Sequence, residues 1–180
     1  VKGIKYCVSN PKYAIPVLSK SGTISIMETL NKILEDPVRT ELVVDTIKDL
    51  YIMGKNILIF AEFRDYLDKI SILLDNRHNI VLKGGVDYKT ICEANTSRII
   101  LTTYAYSRRG INYDQLNALV LATPRRNGLK QIIGRILRYK SDATIPRTIV
   151  DIIDCNTIVR SQFYDRQKIY RSRGYRVVMV

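Results

Sequence analysis

Short, nearly unbroken apolar runs recur along the chain, and most are followed by a stretch with helical spacing. The runs are Asn56-Ile57-Leu58-Ile59-Phe60-Ala61, Asn79-Ile80-Val81-Leu82, Arg98-Ile99-Ile100-Leu101-Thr102, Ala118-Leu119-Val120-Leu121-Ala122 and Thr148-Ile149-Val150-Asp151-Ile152-Ile153. A strand exposed on one face alternates apolar with polar residues; a strand covered on both faces does not. These runs therefore predict a mainly parallel central sheet with helices on both sides, an α/β three-layer sandwich. Val43, Ile47 and Leu50 recur at helical spacing, with Gly54 where a left-handed cap belongs. Residues 64–75, 88–96, 127–138 and 157–173 are the other predicted helices, the last closed by Gly174.

The chain of 180 residues suits one domain. Pro11, Pro16, Ser21-Gly22 and Pro37 punctuate its start. Residues 1–40 are therefore expected to link or wrap, and 41–180 to form the domain. No apolar run approaches the roughly 18 residues of a membrane span, and no secretory leader is recognisable, so a soluble, intracellular protein without a membrane partner is expected. The start at Val1, without Met, points to an excised fragment. Cys7, Cys92 and Cys155 make no metal-ligand pattern and are expected to be buried, reduced thiols; with His78 the only histidine, no metal site is predicted. His78 itself reads as a turn residue.

Charge is lopsided. Residues 1–97 hold 13 basic and 12 acidic side chains, whereas residues 98–180 hold 16 basic and 5 acidic. Such a field suits a polyanion, nucleic acid or nucleotide phosphate. Arginines solvating helix faces are the alternative, and spacing must separate the two.

The sequence contains neither of the glycine-rich loops that cradle nucleotide phosphates. Gly84-Gly85 reads as a tight turn that could admit a nucleic-acid backbone. The most specific feature is Gln131-Ile132-Ile133-Gly134-Arg135-Ile136-Leu137-Arg138. On a helix, Gln131, Arg135 and Arg138 fall near 0°, 40° and −20°, and the four apolar residues between about 100° and 240°. One face is core; the other carries guanidinium and amide groups. A planar guanidinium can meet two phosphate oxygens and stabilise charge developing in phosphoryl transfer. A solvated basic face is the plainer reading.

That octapeptide resembles motif VI of superfamily 2 helicases. Thr102-Thr103 with Ser107-Arg108-Arg109-Gly110-Ile111-Asn112 resembles motif V, and Ile57-Leu58-Ile59-Phe60-Ala61 resembles motif IV. The three occur in family order, so residues 40–180 resemble the C-terminal RecA-like lobe of such a helicase. The nearest flavours are phage recombination helicases and helicases of large cytoplasmic DNA viruses, including the poxvirus transcript-release type. Motif V departs from the common form: it carries Tyr104 and Tyr106, is one residue longer, and has Asn at 112.

The resemblance implies an ATP-dependent helicase or translocase, with Arg135 and Arg138 as arginine fingers. Gln131, Gly110 and Asn112 would face the nucleotide. Thr102 or Thr103, with Arg108, Arg109 and Gly84, would grip nucleic acid, DNA being favoured over RNA; one of Arg108 and Arg109 could instead pair with Asp114. ATP and Mg2+ would be held mainly by a first RecA-like lobe of the same protein, absent here, so this chain alone would be inactive. A viral source would add host cytoplasm and virion to the expected locations. Two alternatives remain at this stage: a nucleotide-independent DNA- or RNA-binding module, and a degenerate lobe kept for protein contacts. Phe163 and Tyr170 are expected to pack on the sheet, leaving Lys168, Arg171 and Arg173 exposed.

Overall fold

In the computed structural model, residues 1–75, 77–109, 115–125, 127–136 and 146–180 are described. Lys2–Tyr6 (β1), Ile26–Leu34 (α1) and Pro37–Ile52 (α2) lead to Ile57–Ala61 (β2). Next come Arg64–Leu73 (α3), Asn79–Leu82 (β3), Tyr88–Glu93 (α4), Ile99–Thr103 (β4) and Ala118–Leu121 (β5). Leu129–Ile136 (α5), Thr148–Asp154 (β6), Ser161–Ser172 (α6) and Val178–Met179 (β7) complete the order. The strands form one sheet, β3-β4-β2-β5-β6-β1-β7, and every pairing is parallel. This is the α/β three-layer architecture expected from the apolar runs, of the RecA-like kind that the resemblance implies.

The pleat sorts each strand onto two cores. Ile57, Ile59 and Ala61 pack with Leu30, Val43, Ile47, Leu67 and Ile70 of α1–α3. Leu58 and Phe60, pointing the other way, pack with Leu129, Ile132 and Ile133 of α5 and with Phe163 and Tyr170 of α6. All five residues of β2 are buried, as are those of β4, which is why neither shows alternation.

Within the first forty residues, read as a linker or wrapping arm, Lys2–Tyr6 enters the sheet. β1 lies between β6 and β7, in register from Lys2 opposite Val150 to Tyr6 opposite Asp154. The prolines sit where they do no harm: Pro37 opens α2 at a position whose N–H needs no partner, with Asp36 capping it. Ser25 caps α1. The expectation of buried thiols also fails: Cys7 and Cys92 are exposed and Cys155 is half-buried. Cys7 lies just past the end of β1, and α4, which carries Cys92, buries none of its residues. His78 is exposed in the connection between α3 and β3. No helix among the described residues is long and apolar enough to cross a membrane.

Candidate nucleotide and nucleic-acid interface

The strand order changes direction at β2, from which the chain runs outward to β3 on one side and comes back through β4 to β5 on the other. In open α/β sheets, ligands bind beyond the carboxyl ends of strands at such a point. Two crevices lie there. One, about 180 Å³, is lined by Glu62, Arg64, Gly84, Thr103, Ala105 and Tyr106. The other, about 600 Å³, is lined by Tyr104, Ser107, Arg125, Ile169 and the segment 127–132 that opens α5.

The two threonines ending β4 have different jobs. Thr102 is fully buried, and its hydroxyl donates to the Leu82 carbonyl at 2.8 Å, stitching β4 to β3. Thr103 lines the smaller crevice, where its oxygen accepts the Tyr106 N–H at 3.1 Å. Gly84 stands opposite, beyond β3, and a Cβ built on it would lie 2.8 Å from Nη2 of Arg64. Arg64 is exposed and begins α3, a place where a cation opposes the helix dipole. Its neighbour in charge, Lys83, is already occupied by both oxygens of Asp68, at 2.7 and 2.6 Å.

Between the crevices stands Arg125. It donates to Glu62 at 2.7 Å and to the Asn127 carbonyl at 2.9 Å, and its guanidinium lies 4.7 Å from the centre of the Tyr104 ring. Tyr104 stacks on Phe60 and donates to the Thr123 carbonyl at 2.7 Å. Burial pushes its phenol well above the ordinary value, so it remains a neutral donor. Behind this group, Arg166 of α6 holds Asp151 of β6 with two hydrogen bonds, 2.8 and 2.9 Å, and Tyr170 donates to the same carboxylate at 2.8 Å. Arg166 also reaches the Arg125 carbonyl at 3.3 Å.

Among the residues singled out from sequence, Thr103 and Gly84 share the smaller crevice, and Gln131 is exposed on the wall of the larger one. Arg135 follows Gln131 by four residues within α5. Gly110, Asn112 and Arg138 lie outside the described residues, as do the side chains of Arg108, Arg109 and Arg135. Phe163 and Tyr170 are buried, and Lys168, Arg171 and Arg173 exposed, as expected. Sequence reasoning passed over Glu62, Arg64, Tyr104 and Arg125 as site residues. A usable signal existed for all four: each follows within four residues of the end of a buried strand. Two arginines of the basic half are already paired, Arg166 with Asp151 and Arg125 with Glu62.

No family model matches the chain. It is 37% identical over 196 residues to "Putative ATP-dependent RNA helicase QP509L" of African swine fever virus (isolate Pig/Kenya/KEN-50/1950), covering 97% of this chain and 38% of the relative. It is 30% identical over 145 residues to "Putative ATP-dependent RNA helicase L396" of Acanthamoeba polyphaga mimivirus, covering 77% of this chain and 28% of that protein. The chain thus spans well under half the length of these curated relatives. Among solved structures, T4 UvsW matches with a TM-score of 0.72 at 20% identity, over 99% of this chain and 40% of that one. The E. coli DEAD-box protein SrmB, solved bound to regulator of ribonuclease activity A, matches with a TM-score of 0.61 at 13% identity, over 98% and 88%. Homology to these viral proteins across nearly its whole length, on a sheet of RecA-like topology, makes the chain a member of their helicase family.

Proposed function

We propose that the chain is the second motor lobe of an ATP-dependent nucleic-acid helicase or translocase. In this reading the larger crevice faces a nucleotide held by a first lobe of the same protein, and the smaller crevice faces a nucleic-acid backbone. The observation that carries it is the position of Gln131, exposed on the wall of a 600 Å³ cavity at the carboxyl edge of the sheet, one helical turn before Arg135.

The residues present fit one side of a triphosphate. Lys130 and Gln131 offer donors at the start of α5, where backbone N–H groups also favour anions. They do not fit a magnesium ion: among the described residues no group of three or more His, Cys, Asp or Glu side chains converges. Magnesium would belong to the first lobe, whose carboxylates hold it. ATP supplies the phosphoryl group transferred to water. Arg135 and Arg138 stabilise the charge that develops on it, Gln131 orients beside them, and Gly110 and Asn112 face the nucleotide from motif V. Thr103, Gly84, Arg108 and Arg109 grip phosphates of the strand without reading its sequence. Of the motif V threonines, Thr103 is better placed than Thr102, whose hydroxyl is committed to Leu82.

The test uses the intact protein and measures ATP turnover with and without single-stranded DNA or RNA. Arg135→Ala and Arg138→Ala should each lower turnover by about 10³-fold while circular dichroism stays unchanged. Turnover equal to the parent would reject the finger assignment. Comparing DNA with RNA in the same assay decides the strand type, since DNA was favoured from sequence and the relatives are named RNA helicases. A nucleotide-independent binder would instead show salt-sensitive affinity that ATP does not alter.

A further inference from the structure

We propose that the Glu62–Arg125 ion pair carries the signal between the two crevices, with Arg125 acting as a positioning residue for α5; this rests on the motor reading above. Glu62 belongs to the smaller crevice and Arg125 to the larger, and the 2.7 Å contact between them is a direct polar link across the partition.

Each end of the pair is anchored to the sheet edge or to the approach to α5. Glu62 directly follows β2, and its backbone N–H donates to the Thr123 hydroxyl at 2.9 Å, fixing it against the end of β5. Its carboxylate shares the small crevice with Arg64 and Thr103. A phosphate arriving there would attract Arg64 and repel Glu62, so binding must bias the carboxylate toward or away from Arg125.

Arg125, in turn, governs how α5 begins. Its Nε holds the carbonyl of Asn127, and Gly128 then takes a positive φ of 84° to start the helix at Leu129. The flat face of the guanidinium rests on Tyr104, the residue directly after Thr103, so one side chain touches both the motif V segment and the approach to motif VI. Its carbonyl is fixed by Arg166, which Asp151 holds in place. The guanidinium can therefore shift only with its partners, and any shift reaches the start of α5, and with it Gln131, through Asn127 and Gly128. Lysine could satisfy Glu62 but could not also hold the Asn127 carbonyl and lie flat on the ring.

The experiment measures, in the intact protein, the ratio of ATP turnover with saturating nucleic acid to turnover without it. Arg125→Ala, Glu62→Gln and the double variant should each reduce that ratio about tenfold, the double variant by no more than either single one. Arg125→Lys should fall between. Loss of structure lowers both rates together and leaves the ratio alone, so a merely structural role would not reproduce this pattern. A parental ratio in Arg125→Ala or in the isosteric Glu62→Gln, or losses that multiply in the double variant, would overturn the proposal. If Arg135→Ala abolishes turnover in the same preparation while these ratios stay parental, the motor reading survives and only the coupling fails. If Arg135→Ala is also without effect, the motor reading itself falls.

Discussion

Arg39 and Asp154 form a two-pronged ion pair with neither side chain exposed: Nε to Oδ1 at 2.6 Å and Nη2 to Oδ2 at 3.0 Å. The remaining nitrogen donates to the Ala122 carbonyl at 3.0 Å and the Tyr66 hydroxyl at 3.1 Å. One guanidinium thereby ties α2 to the ends of β5 and β6 and to α3, directly beneath the edge that carries the crevices. Removing one partner of such a pair leaves an uncompensated buried charge. Arg39→Met should therefore cost about 3–5 kcal/mol in urea unfolding, and adding Asp154→Leu should recover most of the loss. An Arg39→Met cost below about 1 kcal/mol would place the pair outside the stability core.

The Tyr6–Asp36 contact makes stability depend on pH at both extremes. The Tyr6 hydroxyl donates to Asp36 at 2.6 Å, and burial first, then the adjacent carboxylate, pushes the phenol up to about 12 from an ordinary 10.0. The folded form keeps this proton where the unfolded form has lost it, so stability should fall as pH rises from 10 toward 12. For Asp36, burial pulls upward most strongly, yet donors from Tyr6, Ser9 and Val38 together hold it below the ordinary carboxylate value. Its contribution is present above that range and is lost as pH falls through the folded value. Melting temperature against pH, compared with Tyr6→Phe, checks both: the variant should show a shallower alkaline decline, the part due to the buried Tyr104 and Tyr170 remaining, and should weaken earlier in acid.

Thr102→Val and Thr103→Val should separate folding from binding. The first removes a buried donor to Leu82 and should cost about 1–2 kcal/mol of stability with strand affinity unchanged. The second removes a crevice hydroxyl and should weaken strand affinity severalfold. Denaturation and fluorescence anisotropy on both variants measure this; the reverse pattern would move the grip to Thr102.

Gly84→Ala adds one methyl where the guanidinium of Arg64 hangs. The flexible end of Arg64 can yield, so the melting temperature should hold within about 2–4 °C. Strand affinity should fall and its salt dependence should flatten, because a displaced cation no longer meets phosphate. An unchanged salt slope would remove Arg64 and Gly84 from the interface.

Much of this was legible in the sequence because burial on both faces leaves a plain signature. β2 and β4 read as continuous apolar runs for the same reason that every one of their residues is covered. β1 was missed because lysines flank its apolar residues and its partners lie at the other end of the chain, where local pattern carries no information. α1 was hidden among turn residues, although Leu30, Ile33 and Leu34 form its buried face. Spacing could rank Gln131 as a site residue. It could not reveal the pairing of Arg125 with Glu62, residues brought together by two parallel strands. Nor could it show that Arg166, on the same face of α6 as Phe163 and Tyr170, is an interior cation held by Asp151.

The placement of β1 also bears on the order in which the sheet can form. This strand precedes the other strands of the sheet in the chain, yet its ladder with β6 needs residues about 150 positions later, a separation that makes the contact slow to form. The ladder β3-β4-β2-β5 can be laid down while the nascent chain is still growing, leaving β1 to slot in beside β6 as a closing step. Until then the edge of β6 stays open, which makes that edge the point where a chaperone, or a second nascent copy, would compete for the same hydrogen bonds.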